Sequence, residues 1–338
     1  MWNEDTLNAM LSEPSEGLIA DMARLEGDIM ILGAGGKMGP TLSVMAKRAS
    51  GAAGIRRHVY AVSRFSDPYA SAFLRREGVE MLPADLNDAK QLSELPRVPN
   101  IVYMLGKKFG TSGNAGDTWH TNVVMPGMIT KQLGAVNYVV FSTGNVYPFT
   151  DPALGGCWEE DSPAPVGEYA MSTWGRERVF EYAARNYGAK VLLFRLNYAI
   201  DLRYGVLLDL AEQIMSGRPV RLDVPQFNCV WQRYANEAAL RSLLRVSPEV
   251  ERLNVTGPEA GVTRSVVRKL AAELGREAAF EGEEGTKAML MNPAKCMAWF
   301  GKPDKSLDDL IHMQAEWLKA GGRRLGTPTH FEETEGKF

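Results

Sequence analysis

The spacing of apolar positions opens with helical periodicity, then settles into short apolar runs separated by amphipathic stretches. Leu7, Met10, Leu11, Leu18, Met22 and Leu25 recur among acidic neighbours, with a break near Pro14 and Gly17. This predicts one or two helices over residues 3–26, packed on the body or on a second subunit. Asp28-Ile29-Met30-Ile31-Leu32 is then a short apolar strand. His58–Val62, Ile101–Leu105, Tyr138–Ser142 and residues 190–196 are further strands, with helical patterns over 68–77, 118–133 and 168–187 between them. Such alternation predicts an α/β fold, a doubly wound parallel sheet covered on both faces. Beyond about residue 198 the alternation weakens, except at Leu253-Asn254-Val255, which predicts a smaller substrate-binding lobe with one strand returning to the sheet. The expected organisation is an extension over 1–27, the alternating domain over 28–197, the lobe over 198–320 and a flexible polar tail over 321–338.

Composition narrows the function classes. Apolar residues are 45% and charged residues 23% of the 338, with a net charge of −3. That balance suits a soluble domain with a large core and gives no reason to expect nucleic acid or an anionic membrane as partner. No apolar run reaches the roughly 20 residues of a membrane helix. Three scattered cysteines and four histidines without an i,i+4 pair fit neither a disulfide framework nor a metal site, so no metal and a cytoplasmic location are expected.

The chemistry begins where the first strand ends. Gly33, Gly36 and Gly39 form Gly-x-x-Gly-x-x-Gly, with Lys37 and Met38 inside the loop and a helical pattern directly after it. Glycines let the backbone approach a diphosphate, and a helix N-terminus offers free N–H groups and partial positive charge. A tight turn would also use glycine, but at the first strand–helix junction of an alternating chain the loop predicts a Rossmann-type dinucleotide site. After the second strand stand Ser63 and Arg64 where an acidic residue would select NAD(H). Arginine suits a 2′-phosphate, so NADP(H) is the expected cofactor and NAD(H) the alternative.

Further motifs resemble those of the extended short-chain dehydrogenase/reductases, the NAD(P)-dependent epimerase/dehydratase group. Ala84-Asp85-Leu86 is similar to its adenine-contacting segment and Leu105-Gly106 to its cofactor-lining pair. Thr121-Asn122-Val123 resembles its Asn-Val helix, and Ser142-Thr143-Gly144-Asn145-Val146-Tyr147 its strand end. Glu168-Tyr169-Ala170-Met171-Ser172 is similar to its catalytic tyrosine segment. The resemblance implies cofactor contacts from Asp85, Leu86, Leu105, Gly106, Asn122 and Ser142. It implies Tyr169 as proton carrier, Thr143 as the hydroxyl that orients a substrate oxygen, and a homodimer built on the helices near 118–133 and 168–187.

The family pattern Tyr-x-x-x-Lys is broken, because the fourth residue after Tyr169 is Thr173. A tyrosine with an ordinary pKa is only ~0.1% ionised at pH 7, a deficit of roughly 4 kcal/mol if the ionised form is required. Lys107, Lys108 and Arg176 are the cations that could stand in, or they are surface charges. Asn197, Arg203 and Arg233 are candidate substrate contacts, the arginines suiting an anionic compound or structural ion pairs. The expected activity is that of an NAD(P)-dependent oxidoreductase or epimerase on a sugar, nucleotide-sugar or related hydroxy/keto small molecule. The alternative is a non-catalytic dinucleotide sensor or scaffold.

Overall fold

Seven parallel strands form the central sheet of the computed structural model, which describes residues 2–108, 110 and 113–337. Ahead of it, α1 (Glu4–Leu11) and α2 (Glu16–Arg24) are separate helices. Each starts at a side-chain cap, Asn3 accepting from the Thr6 amide and Ser15 from the Leu18 amide. Their apolar stripes split between two cores. Leu7 and Leu11 enter the core of the second lobe, whereas Leu18 and Met22 cover the sheet.

β1 (Ile29–Leu32) is buried at all four positions, as a continuous apolar run requires in a sheet covered on both faces. The glycine loop connects it to α3 (Gly39–Ala52). Then follow β2 (Val59–Ser63), α4 (Pro68–Arg76), β3 (Glu80–Pro83), α5 (Ala89–Ser93) and β4 (Asn100–Tyr103). Beyond these, the helical stretch predicted over 118–133 is α6 (Ala115–Trp119), a π-helical turn at His120–Val124, and α7 (Met125–Leu133). β5 (Asn137–Thr143), α8 (Gly167–Tyr187) and β6 (Lys190–Leu196) complete the alternation. The strand order is β3-β2-β1-β4-β5-β6, and the strand Glu251–Val255 pairs with β6 at the edge. The order reverses between β1 and β4, and the crevice beyond the carboxyl ends of those strands is where such sheets place ligands.

One sheet face is packed by α2, α3 and the later helix Gln232–Arg241 and the other by α5, α7 and α8, where Phe180 meets Tyr103 and Tyr138 edge to face. The second lobe is built on Val206–Met215, Thr263–Leu274 and Leu307–Lys319, with three two-stranded sheets around them. The segment after Gly321, expected to be a flexible tail, is anchored to the body at particular residues. Phe331 is buried in the lobe core beside Phe227, and the Leu325 amide donates to the Arg203 carbonyl at 2.9 Å. The average polarity of the tail conceals these few anchors.

Candidate active-site cleft

The glycine loop has a shape that side chains would prevent. Gly33 has φ +91°, and a Cβ there would stand 3.0 Å from the Leu105 amide nitrogen. A Cβ on Gly39 would stand 2.5 Å from the Ala34 carbonyl oxygen. A Cβ on Gly36 would meet only the Gly33 carbonyl at 3.4 Å, so its own surroundings do not demand glycine and leave room over the loop. α3 starts without a side-chain cap and without an acidic residue in its first turn. Its leading N–H groups are thereby available to an anion.

The loop forms one wall of a cavity of about 420 Å³. Gly33, Gly36, Lys37, Met38 and Gly39 line it from one side, Leu105, Gly106 and Lys108 from the end of β4, and Ser142, Thr143 and Asn145 from the end of β5. Tyr169 and Arg176 reach it from α8, and Asn197, Tyr198, Tyr204 and Gln232 from the second lobe. Thus the loop and both proposed hydroxyl groups, far apart in sequence, share one space.

Individual roles within this frame differ. Thr143 ends β5, and its hydroxyl oxygen accepts from the Asn145 amide at 3.2 Å. Ser142 also lines the cavity, but its hydroxyl is committed to Glu177 at 2.6 Å. Asn122 is fully buried behind the wall. It accepts from the Lys107 amide at 2.9 Å and from Arg176 Nη2 at 2.6 Å, and it donates to the Lys107 carbonyl at 3.0 Å, which fixes the segment that carries Lys108. Ser63 lies against the loop, where a Cβ on Gly35 would stand 2.5 Å from its hydroxyl oxygen, and Arg64 beyond it is exposed. Asp85 is half-buried and accepts from the Asn87 amide, and Leu86 is core. Neither of these two lines the cavity.

Thr173 does not stand in the cleft. Its side chain is fully buried and its hydroxyl has no hydrogen-bond partner among the described residues. Arg176, one turn further on, does reach the cavity. It donates from Nη1 to the Phe141 carbonyl at 2.9 Å, and its Nη2 lies where a Cβ on Gly106 would be only 2.6 Å away. A glycine at 106 is what admits the guanidinium. Lys107 and Lys108 are both half-buried; Lys107 lies near Asp117, whereas the Lys108 ammonium stands 5.9 Å from the centre of the Tyr169 ring.

The two candidate substrate arginines are engaged elsewhere. Arg203 holds Asp201 with Nε and Nη2 at 2.7 and 2.8 Å and Asn8 with Nη1, and it borders a neighbouring cavity on the other flank of the glycine loop. Arg233 donates to the Glu13 carbonyl at 2.8 Å and pairs with Asp304, tying the N-terminal extension to the lobe. Asn197 lines the cleft and donates to Asn228 Oδ1 at 3.2 Å.

Sequence reasoning missed Tyr198, Tyr204, Gln232 and Thr329 as lining residues. All come from the lobe or the tail, away from the strand–helix motifs that mark the glycine loop and Tyr169. Asn145 was within reach, since it sits inside the Ser142–Tyr147 segment.

Residues 29–213 match the model of the NAD-dependent epimerase/dehydratase family. No curated protein sequence matches. Among solved structures, the chain is similar to UDP-glucuronic acid 4-epimerase from Bacillus cereus in complex with NAD, at 15% identity and TM-score 0.70 over 86% of this chain and 96% of that one. It is similar to MoeE5 in complex with UDP-glucuronic acid and NAD, at 18% identity and TM-score 0.69 over 87% and 100%. The Thermotoga maritima UDP-glucose 4-epimerase with UDP-glucose gives 16% identity and TM-score 0.68 over 87% and 99%.

Proposed function

This chain belongs to the NAD-dependent epimerase/dehydratase family, and on that premise we propose that it is a nicotinamide-dependent oxidoreductase or epimerase acting on a sugar, nucleotide-sugar or related hydroxy/keto compound. The observation that carries the reading is the single cavity shared by the glycine loop, Thr143 and Tyr169. The solved relatives bound to NAD and to UDP-sugars support the cofactor and substrate class.

The residues present fit a dinucleotide. The cradle at Gly33 and Gly39 and the uncapped start of α3 suit its diphosphate. Arg176, with Nε unpartnered and the guanidinium held on neutral acceptors, brings positive charge to the same cleft. When bound, the dinucleotide supplies a reversible two-electron acceptor. The chain's own part is proton handling and positioning. Tyr169 is the group that takes or returns the proton at the substrate oxygen, and the Thr143 hydroxyl holds that oxygen in place. Arg64, exposed after β2, is assigned to a 2′-phosphate, which makes NADP(H) the preferred form. The exposed Val124, at the end of the π-helical turn before α7, and Met171 and Tyr182 on α8 suit a homodimer built on these helices.

Tyr169→Phe tests this reading. Conversion of a UDP-sugar panel should fall by about 10²–10⁴-fold, with NADP(H) and NAD(H) affinities kept within about two-fold, as measured by nucleotide fluorescence. Burial of Thr173 favours a second reading, a non-catalytic dinucleotide sensor or scaffold. Wild-type protein that binds dinucleotide yet converts nothing on the panel would select it.

A further inference from the structure

The segment after Gly321 crosses from the second lobe to the start of α8, and its attachments gather around Tyr169. Thr329 lines the cleft. Its amide and hydroxyl donate to Asp209 on the lobe helix Val206–Met215, the amide at 2.7 Å, and its carbonyl accepts from Lys108 Nζ at 2.9 Å. Burial lowers Lys108 to about 8, and the charges of Asp209 and Glu332 oppose that shift, so the segment supplies one of its counter-charges. Phe331 packs beside Phe227 in the lobe core. Gly336 touches Gly167, two residues before Tyr169. A Cβ on Gly336 would collide with the Val166 carbonyl oxygen and stand 2.7 Å from the Gly167 Cα. Glu333, Thr334 and Gly336 share a small gap with Asn145, and Asn145 also lines the cleft.

These attachments are few. Residues 326–337 contain no helix or strand, and only Thr329 and Phe331 among them are buried. The Leu325 amide is tied to the Arg203 carbonyl, and Gly326 follows at φ +69° with open space around it. A segment held by two buried side chains and a few hydrogen bonds opens far more readily than the sheet beside it. A tail that merely completed the lobe core would need Phe331 alone; the other contacts sit on groups of the cleft or next to Tyr169.

We propose that residues 326–337 are a cover over the Tyr169 end of the cleft, hinged at Gly326, which opens to admit substrate and closes with Thr329 in the cleft wall. This rests on the reading of the Tyr169 cleft as a substrate site. Closure sets Lys108 and the start of α8 beside the reacting groups, and opening releases both together.

The test uses the full chain and needs neither dinucleotide nor sugar. Asn145→Cys puts a thiol beside the segment, in a chain whose own three cysteines are buried. Its labelling by dithiobisnitrobenzoate should be at least about ten-fold slower than in the urea-unfolded chain, with the chain lacking the substitution as blank. In that background Gly336→Val, strained at φ +75° and blocked by Val166, should speed labelling by about ten-fold, the population change that matches the strain of one left-handed side chain. Phe331→Ala should act in the same direction from the other anchor. Gly275→Val places a like strain, at φ +63°, at the end of the lobe helix Thr263–Leu274 and should leave labelling unchanged. In wild type, the Thr329 amide should exchange its hydrogen through an opening that urea hardly affects, whereas the Val139 and Leu192 amides of the sheet follow the steep urea dependence of global unfolding.

Labelling as fast as in the unfolded chain would overturn the proposal. So would equal acceleration by Gly336→Val and Gly275→Val, no acceleration by either Gly336→Val or Phe331→Ala, or a Thr329 amide that shares the urea dependence of the sheet. The reading of the cleft fails separately: a cover that behaves as expected on a protein that converts no UDP-sugar refutes that reading alone.

Discussion

Charge is treated differently on the two sides of α8. Toward the sheet, Arg195 is almost wholly buried and grips Glu177 through two parallel hydrogen bonds of 2.9 and 2.7 Å, with Tyr147 and the Glu159 carbonyl taking the remaining guanidinium nitrogen. Toward the cleft, Arg176 is the residue next to Glu177 and is also buried. It donates to a backbone carbonyl and the Asn122 amide oxygen and lies over the Tyr103 ring, and no carboxylate lies within ion-pair distance among the described residues. Unpaired burial costs several kcal/mol per ion, so a fold retains it where something else benefits. The core pair is compensated and serves the structure. The Arg176 charge at the cleft is left for an anionic dinucleotide to satisfy.

The largest expected effect breaks the compensated side. Glu177→Ala leaves Arg195 buried without its counter-charge and should cost about 3–5 kcal/mol in urea unfolding. Arg176→Met, with no counter-charge to strand, should cost far less stability and weaken dinucleotide binding instead. Equal destabilisation by the two substitutions would erase the distinction drawn between the two sides of the helix.

An intermediate effect comes from Asp209, the acid that holds the cleft-lining Thr329. Burial lifts the Asp209 carboxyl from 3.8 to about 6, against the downward pull of its hydrogen bonds from Thr329. A carboxyl raised on folding contributes stability that is fully present below its unfolded value and lost as pH rises through its folded value. The loss therefore falls between about pH 4 and pH 6. Asp209→Asn keeps an acceptor for Thr329 and removes this dependence. Its stability relative to wild type should improve by roughly 2 kcal/mol on going from pH 3.5 to pH 7. A pH-independent difference would mean that the acid is well solvated and that the cleft is wetter than its lining indicates.

Much of this arrangement was legible in the chain. The apolar run at Ile29–Leu32, the glycine spacing after it and the helical stripe over 168–187 are local signals, and each specifies its element with little help from distant residues. They place Tyr169 and the loop, and the parallel sheet brings them together. The fate of charge was not legible. Nothing in sequence separates Arg203, which is folded onto Asp201, from Arg176, which faces the cavity. Nor does anything separate Lys107, which lies near Asp117, from Lys108, which lines the cavity, since the choice depends on which neighbour the tertiary fold supplies. Gly106 is the nearest to a clue, because its missing side chain makes the space for Arg176. Thr329 and Phe331 were hidden for the opposite reason: two anchors within a polar tail do not change its average.

The smallest expected effect concerns position 173, where the family pattern has lysine. Thr173, between Tyr169 and Arg176 on α8, is fully buried, does not line the cavity, and has a hydroxyl with no partner among the described residues. A buried hydroxyl without a partner is a net cost, and an apolar group of the same shape avoids it. Thr173→Val should therefore leave unfolding stability unchanged or raise it by up to about 1 kcal/mol. Dinucleotide affinity should stay within about two-fold, because nothing at this position reaches the cavity. A ten-fold weakening of dinucleotide binding in this variant would show that the hydroxyl serves the cofactor after all. It would place position 173 among the groups that hold the dinucleotide.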